Sequence, residues 1–181
     1  MTFSFSAYSS SVLKESKQTS ENFFKEKLEL TPTSNTKKTV SSESLLNQNK
    51  IYLSYLPPLK NSIEIISKYG KRYHPILKKR SFHSGVDIKC KAGTEVLSIS
   101  EGVVVKAGYD KGYGYHIIIK HKDNIETLYA HLSKINVKKG QSINLNESIG
   151  LSGRSGRATG AHLHFEMRKN GITMDPTDIL S

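Results

Sequence analysis

From about Leu59 to the C-terminus, short apolar runs alternate with turn-forming residues. Ser62 to Tyr69 is apolar at Ile63, Ile65 and Ile66 and ends at Gly70. Ala92-Gly93 precedes the run Thr94 to Ile99, and Glu101-Gly102 precedes Val103 to Ala107. A glycine-rich turn from Tyr109 to Gly114 leads into His116 to His121, and Lys122-Asp123-Asn124 separates that run from Ile125 to Leu132. Further runs follow at Ile149 to Ser152 and His162 to Arg168, the latter closed by the hairpin signal Lys169-Asn170-Gly171. Short β-rich runs at this spacing predict an all-β fold, a sandwich or open barrel.

Residues 1–59 have a different texture. Met1 to Ser20 is serine-rich without a steady period, Glu21 to Leu30 predicts a short helix, and Thr31 to Ser42 has the composition of a linker. Pro57-Pro58 marks a break. Two units are therefore expected, an extension over 1–59 and a domain over 60–181.

Composition adds limits. With 36% hydrophobic and 24% charged residues, the chain has an ordinary globular balance. No apolar run approaches the roughly 18 residues of a membrane helix. Met1 to Ser11 lacks the basic start and apolar stretch of a secretory signal. The net charge is +11, and most of the excess falls in residues 61–181, with 19 basic against 11 acidic groups. Such a surplus suits an anionic partner or simply solubility. Nucleic acid is set aside because no recognisable binding motif accompanies the charge. The single cysteine, Cys90, cannot form an internal disulfide and is expected as a small filler beside a strand.

Three histidine-bearing segments carry the candidate chemistry: Phe82 to Asp87, Leu128 to Ser133, and Gly160 to Glu166. On a strand, residues two apart share a face, so His162, His164 and Glu166 point one way while Leu163 and Phe165 point to the core. Burying those two apolar side chains contributes roughly 1.5–3 kcal/mol each and would fix the strand. His83 and Asp87 are four apart, and an extended path puts both on one side, with Gly85 allowing close approach of a metal or a neighbour. Two histidines and a carboxylate meet the three-ligand rule of a catalytic zinc site, which keeps a position open for water. Spacing alone leaves open which three residues would bind.

The ordered set His83/Asp87, His131 and His162/His164 resembles the lysostaphin/LytM-type zinc endopeptidases, peptidoglycan hydrolases marked by H-x-x-x-D, an isolated His and a late H-x-H. The likeness extends to Tyr69-Gly70, Arg72, His74-Pro75, Glu101 to Val104, Leu128 to Leu132 and Gly153 to Glu166, and covers roughly residues 62–179. It implies an antiparallel β-sheet whose groove holds one zinc per chain, bound by His83, Asp87 and His164. It implies catalytic roles for His131 and His162 beside the metal, with the division of labour unassigned. The implied reaction is hydrolysis of peptide cross-links or stem peptides of bacterial peptidoglycan through a metal-activated water, in the cell envelope. The alternative is a noncatalytic wall-binding or amidase-activating module of the same fold, although such members have typically lost ligands. Glycine bridges and D-Ala-containing cross-links both stay open as the bond cut. A monomer is the working expectation, although the sequence does not fix oligomeric state.

Other residues extend the candidate site. His74, Arg154 and Tyr113 are candidates for the substrate groove, with Arg157 in the same glycine-rich loop as Arg154. Glu166 is a candidate to orient a ligand histidine from behind. His116 and His121 are expected at the surface. Residues 1–59 are expected as a targeting or spacer region, or as a plug lying across the groove.

Overall fold

The computed structural model describes residues 55–60, 62–73 and 80–180. The helix and linker expected within residues 1–54, and any plug they form, lie outside these. The described chain is built from twelve strands: β1 (Ile65–Ser67), β2 (Gly70–Tyr73), β3 (Arg80–His83), β4 (Val86–Lys89), β5 (Glu95–Leu97), β6 (Gly102–Asp110), β7 (Gly114–Lys120), β8 (Ile125–Ile135), β9 (Ser142–Ile143), β10 (Ser148–Ser152), β11 (His162–Lys169) and β12 (Ile172–Met174). Ten of them form one antiparallel sheet whose main path runs β1-β4-β11-β8-β7-β6-β9. β5 and β10 pair beside β8, β12 pairs with β11, and β2 and β3 form a separate hairpin.

Turn chemistry sets the register. At the β6–β7 turn, the Asp110 carboxylate accepts hydrogen bonds from the backbone N–H groups of Gly112 and Tyr113 at 2.8 and 2.7 Å. At the β11–β12 hairpin, Asn170 and Gly171 have φ of 51° and 78°. Two successive left-handed residues are what a tight two-residue hairpin needs.

The core forms where Ile117 and Ile119 of β7, Tyr129 of β8, and Leu163 and Phe165 of β11 meet, all fully buried. The rings of Tyr129 and Phe165 lie 5.4 Å apart. Burial pushes the Tyr129 phenol up to about 12, and its oxygen accepts from the Ile99 N–H at 3.1 Å. Tyr55 to Lys60 runs alongside this unit: Leu56 N–H donates to the Ile99 carbonyl, the Pro58 carbonyl accepts from Leu97, and Leu59 is buried.

Two expectations need correction. His116 and His121 are buried, not exposed. The Nδ1–H of His116 donates to the Gly114 carbonyl at 2.9 Å, inside the turn that begins β7. His121 lies just past the end of β7 and bridges the Glu101 carbonyl (2.7 Å) and the Thr127 hydroxyl (2.7 Å). His121 satisfies both ring nitrogens locally and His116 only Nδ1, its buried Nε2 having no hydrogen-bond partner, and strand parity registers neither burial. Cys90 directly follows β4 and is half-buried; burial pushes its thiol up, towards an inert form.

Candidate metal centre

The register of β4 against β11 places Asp87 directly opposite His164, and His164 in turn opposite Ala130 of β8. His83 ends β3, and the bend at Ser84-Gly85 swings it back over Asp87. The pair therefore converges through a bend and not through the extended path expected from their spacing. Gly85 makes the bend possible: a Cβ there would lie 2.2 Å from the Phe165 carbonyl oxygen, so the close neighbour is β11.

Three acceptor atoms meet at this point. His83 Nε2 lies 3.1 Å from His164 Nδ1 and 3.2 Å from Asp87 Oδ1, and the last two are 2.9 Å apart. The tautomers follow from the outer partners, because a carbonyl or carboxylate oxygen only accepts. His83 Nδ1–H donates to the Lys68 carbonyl at 2.9 Å. His164 Nε2–H donates to Glu166 Oε1 at 3.1 Å. With both rings neutral, the inward nitrogens present lone pairs, facing each other and a carboxylate oxygen. That arrangement is repulsive until a proton or cation enters it. Edges of about 3.3 Å separate the ligands of a tetrahedral zinc with bonds near 2.0 Å, so the three atoms fit that ion. Among the described residues, these are the ones grouped closely enough to hold a metal.

Electrostatics keep the cluster ready. Burial opposes ionisation of Asp87, but once the imidazoles take up a proton, hydrogen bonds and charge from His164 and His83 outweigh it and hold its carboxyl far below the usual range. Burial likewise resists charging of His164, yet Asp87 and Glu166 on its two sides raise its pKa.

His131 and His162 flank the cluster with ring centroids 4.8 Å apart. His162 Nδ1–H donates to the Gly160 carbonyl (2.9 Å), leaving Nε2 3.6 Å from Asp87 Oδ1. His131 has φ of 59°, a left-handed conformation uncommon outside glycine. Strict alternation after Ala130 would turn it away from His164; the left-handed step turns it in, to a ring separation of 5.8 Å. Its Nδ1–H donates to the Ser155 carbonyl at 2.8 Å, so Nε2 faces the groove as an acceptor. Burial drives its pKa down to about 4, with help from the neighbouring imidazoles.

Behind the cluster, Glu166 is fully buried. It accepts from His164, from the Tyr113 hydroxyl at 2.7 Å, from Ser84 and from Arg168 Nε at 3.0 Å. The cavity over the cluster measures about 370 Å³. Tyr113 lines it; of the two exposed arginines of the 153–161 loop, Arg157 lines it and Arg154 lies outside it. Ser84 and the cavity-lining role of Arg72 had no signal in spacing. His74 falls outside the described residues.

Comparison with known proteins agrees with this geometry. The chain is 40% identical over 115 residues to the peptidoglycan DD-endopeptidase ShyA of Vibrio cholerae, covering 63% of this chain and 27% of that protein. The chain spans about a quarter of the length of the curated relatives it matches. A zinc-containing peptidase from Vibrio cholerae superposes with a TM-score of 0.64 at 32% identity, over 71% of this chain and 40% of that one. The catalytic domain of the antimicrobial peptidase lysostaphin from Staphylococcus simulans gives 0.59 at 35% identity, over 65% and 92%. The profile of peptidase family M23 matches residues 81–176, more than half of the chain, and the chain belongs to that family.

Proposed function

We propose that this protein is a zinc-dependent endopeptidase of the bacterial cell envelope that hydrolyses peptide bonds in peptidoglycan. The observation that carries the reading is the meeting of His83 Nε2, His164 Nδ1 and Asp87 Oδ1, each within 3.2 Å of the other two. Those three residues would hold the ion. When bound, zinc lowers the pKa of a water towards neutrality and polarises the carbonyl under attack. The chain's own work is proton handling. With Nδ1 committed to Ser155 and a pKa near 4, His131 is uncharged at neutral pH and offers Nε2 to the proton released as water adds to the carbonyl carbon. That proton passes to the amide nitrogen as the C–N bond breaks. His162, fixed through the Gly160 carbonyl, is the second imidazole beside the same carbon and shares this proton traffic. Glu166 keeps His164 in the tautomer that turns Nδ1 inward. The relatives' names support the substrate class, since ShyA is named a peptidoglycan endopeptidase.

Purified peptidoglycan digested with the full chain, with mass spectrometry of the released fragments, tests this directly. About one zinc per chain and loss of release in His131→Ala and His162→Ala are expected. Wall binding without any cleavage would replace the enzyme with a noncatalytic module.

A further inference from the structure

Two arginines reach the cavity above the cluster, one on each side. Arg72 of β2 comes from the hairpin side, and its Nη2 lies 3.5 Å from the outer oxygen of Asp87. Arg157 comes from the side of the β6–β7 turn. Its backbone N–H donates to the Gly112 carbonyl at 2.9 Å, and its guanidinium lies against Gly112. None of the ion pairs among the described residues includes Arg157. The one acidic residue lining the cavity, Asp87, is already turned towards three imidazoles and Arg72. The wall at Gly112-Tyr113 thus carries a guanidinium in no ion pair, a planar fork suited to a carboxylate, while the Asp110 carboxylate of the same turn is tied to the backbone N–H groups of Gly112 and Tyr113.

We propose that Arg157 is a specificity-determining residue, binding a free carboxylate on the substrate residue seated against the Gly112-Tyr113 turn. The proposal rests on the peptidase reading and narrows it: the preferred substrate is an acidic peptide whose carboxylate lies beside the bond cut, and amidation of that carboxylate weakens it. Arg154 supplies the control, since it has the same charge, sits three residues away and lies outside the cavity.

The test compares purified peptidoglycan with the same material after its free carboxylates are converted to carboxamides. Wild type is expected to digest the native form about tenfold faster, the effect of one charge-assisted pair. Arg157→Gln is expected to lose that preference by slowing on native material alone, Arg157→Lys to keep part of it, and Arg154→Gln to keep all of it. Equal wild-type rates on the two forms, or an Arg157→Gln variant slowed equally on both, overturn the proposal. Binding of soluble stem peptides, acidic and amidated, to His131→Ala is measured in parallel, so that the outcome does not depend on turnover. A preference for the acidic peptide that Arg157→Gln abolishes supports the anchor even where no digestion occurs, which would count against the peptidase reading alone. Equal binding of the two peptides overturns the anchor.

Discussion

His164 is gripped from both ends: its Nε2 lies 3.1 Å from Glu166 Oε1 and its Nδ1 lies 2.9 Å from Asp87 Oδ1. Glu166 is two residues further along the same strand and fully buried, so it cannot drift from this position. A carboxylate behind a ligand imidazole fixes the tautomer and strengthens the inward lone pair. Glu166→Gln keeps the size but loses the charge. Its zinc dissociation constant, read by competition with a coloured chelator, is expected to rise about ten- to a hundredfold. Unchanged affinity in a folded variant would refute the orienting role.

The same carboxylate gives the metal-free protein a pH signature. Burial alone would raise the Glu166 pKa, but hydrogen bonds from His164, Ser84 and Tyr113 outweigh it and hold it down at about 2. The folded value lies below the unfolded one, so the ionised carboxylate favours the folded state. That contribution is complete above the unfolded pKa of about 4.3 and disappears as pH falls through about 2. His131 also titrates lower when folded, at about 4. Its resistance to protonation costs stability as pH falls from about 6.5 towards 4. His164 has a raised pKa and works in the opposite sense, so the clean observable is a difference between variants. In urea titrations of apoprotein, wild type should lose on the order of 2 kcal/mol relative to His131→Asn between pH 7 and 4. It should lose a similar amount relative to Glu166→Gln between pH 4.5 and 2. Differences that stay flat with pH would contradict both assignments.

The parity of β11 was legible because it is a property of one strand: Leu163 and Phe165 face the core, and His162 and His164 face the groove, with Glu166 on their side of the strand but buried behind His164. The turn at Asn170-Gly171 was legible for the same local reason. Features that depend on pairing between distant segments were not. His131 enters the groove through a left-handed residue, and His83 meets Asp87 through a bend, neither of which a two-residue period contains. His116 and His121 lie near the start of β7 and just after its end, where carbonyls of Gly114 and Glu101 each accept from one ring nitrogen. Within the loop 153–161, no period distinguishes Arg154 from Arg157. The backbone bond from Arg157 to Gly112 makes the choice.

Gly85 tests how tightly β4 must approach β11. A methyl group there would lie 2.2 Å from the Phe165 carbonyl oxygen and 2.8 Å from Glu166 Cγ. The first is backbone, held in the ladder that pairs Val86 with Phe165, so it cannot move aside cheaply. Gly85→Ala should therefore push apart the two strands that carry Asp87 and His164. We expect a loss of about 1–3 kcal/mol or more by calorimetry, together with weakened zinc binding. A variant that retains wild-type zinc affinity would show that the ligand strands tolerate separation.

Gly156 probes the other half of the site. Its φ is 70°, and a Cβ would lie 2.3 Å from Gly114 N and 2.7 Å from the Gly112 carbonyl oxygen. Both contacts are backbone atoms of the β6–β7 turn, so Gly156→Ala must lift the 153–161 loop. The preceding residue is what suffers. Ser155 holds His131 Nδ1 through its carbonyl at 2.8 Å, and its hydroxyl spans Tyr115 N–H and the Leu132 carbonyl at 2.9 and 2.6 Å. His83, Asp87 and His164 sit on β3, β4 and β11, and none of their hydrogen bonds involves Ser155. Gly156→Ala should consequently keep its zinc while peptidoglycan release falls at least tenfold, a cost of about 1.4 kcal/mol in the barrier. Gly85→Ala should do the reverse, failing first at the metal. Equal zinc loss in the two variants would mean that the loop and the ligand strands form one inseparable unit, and that His131 has no independent support.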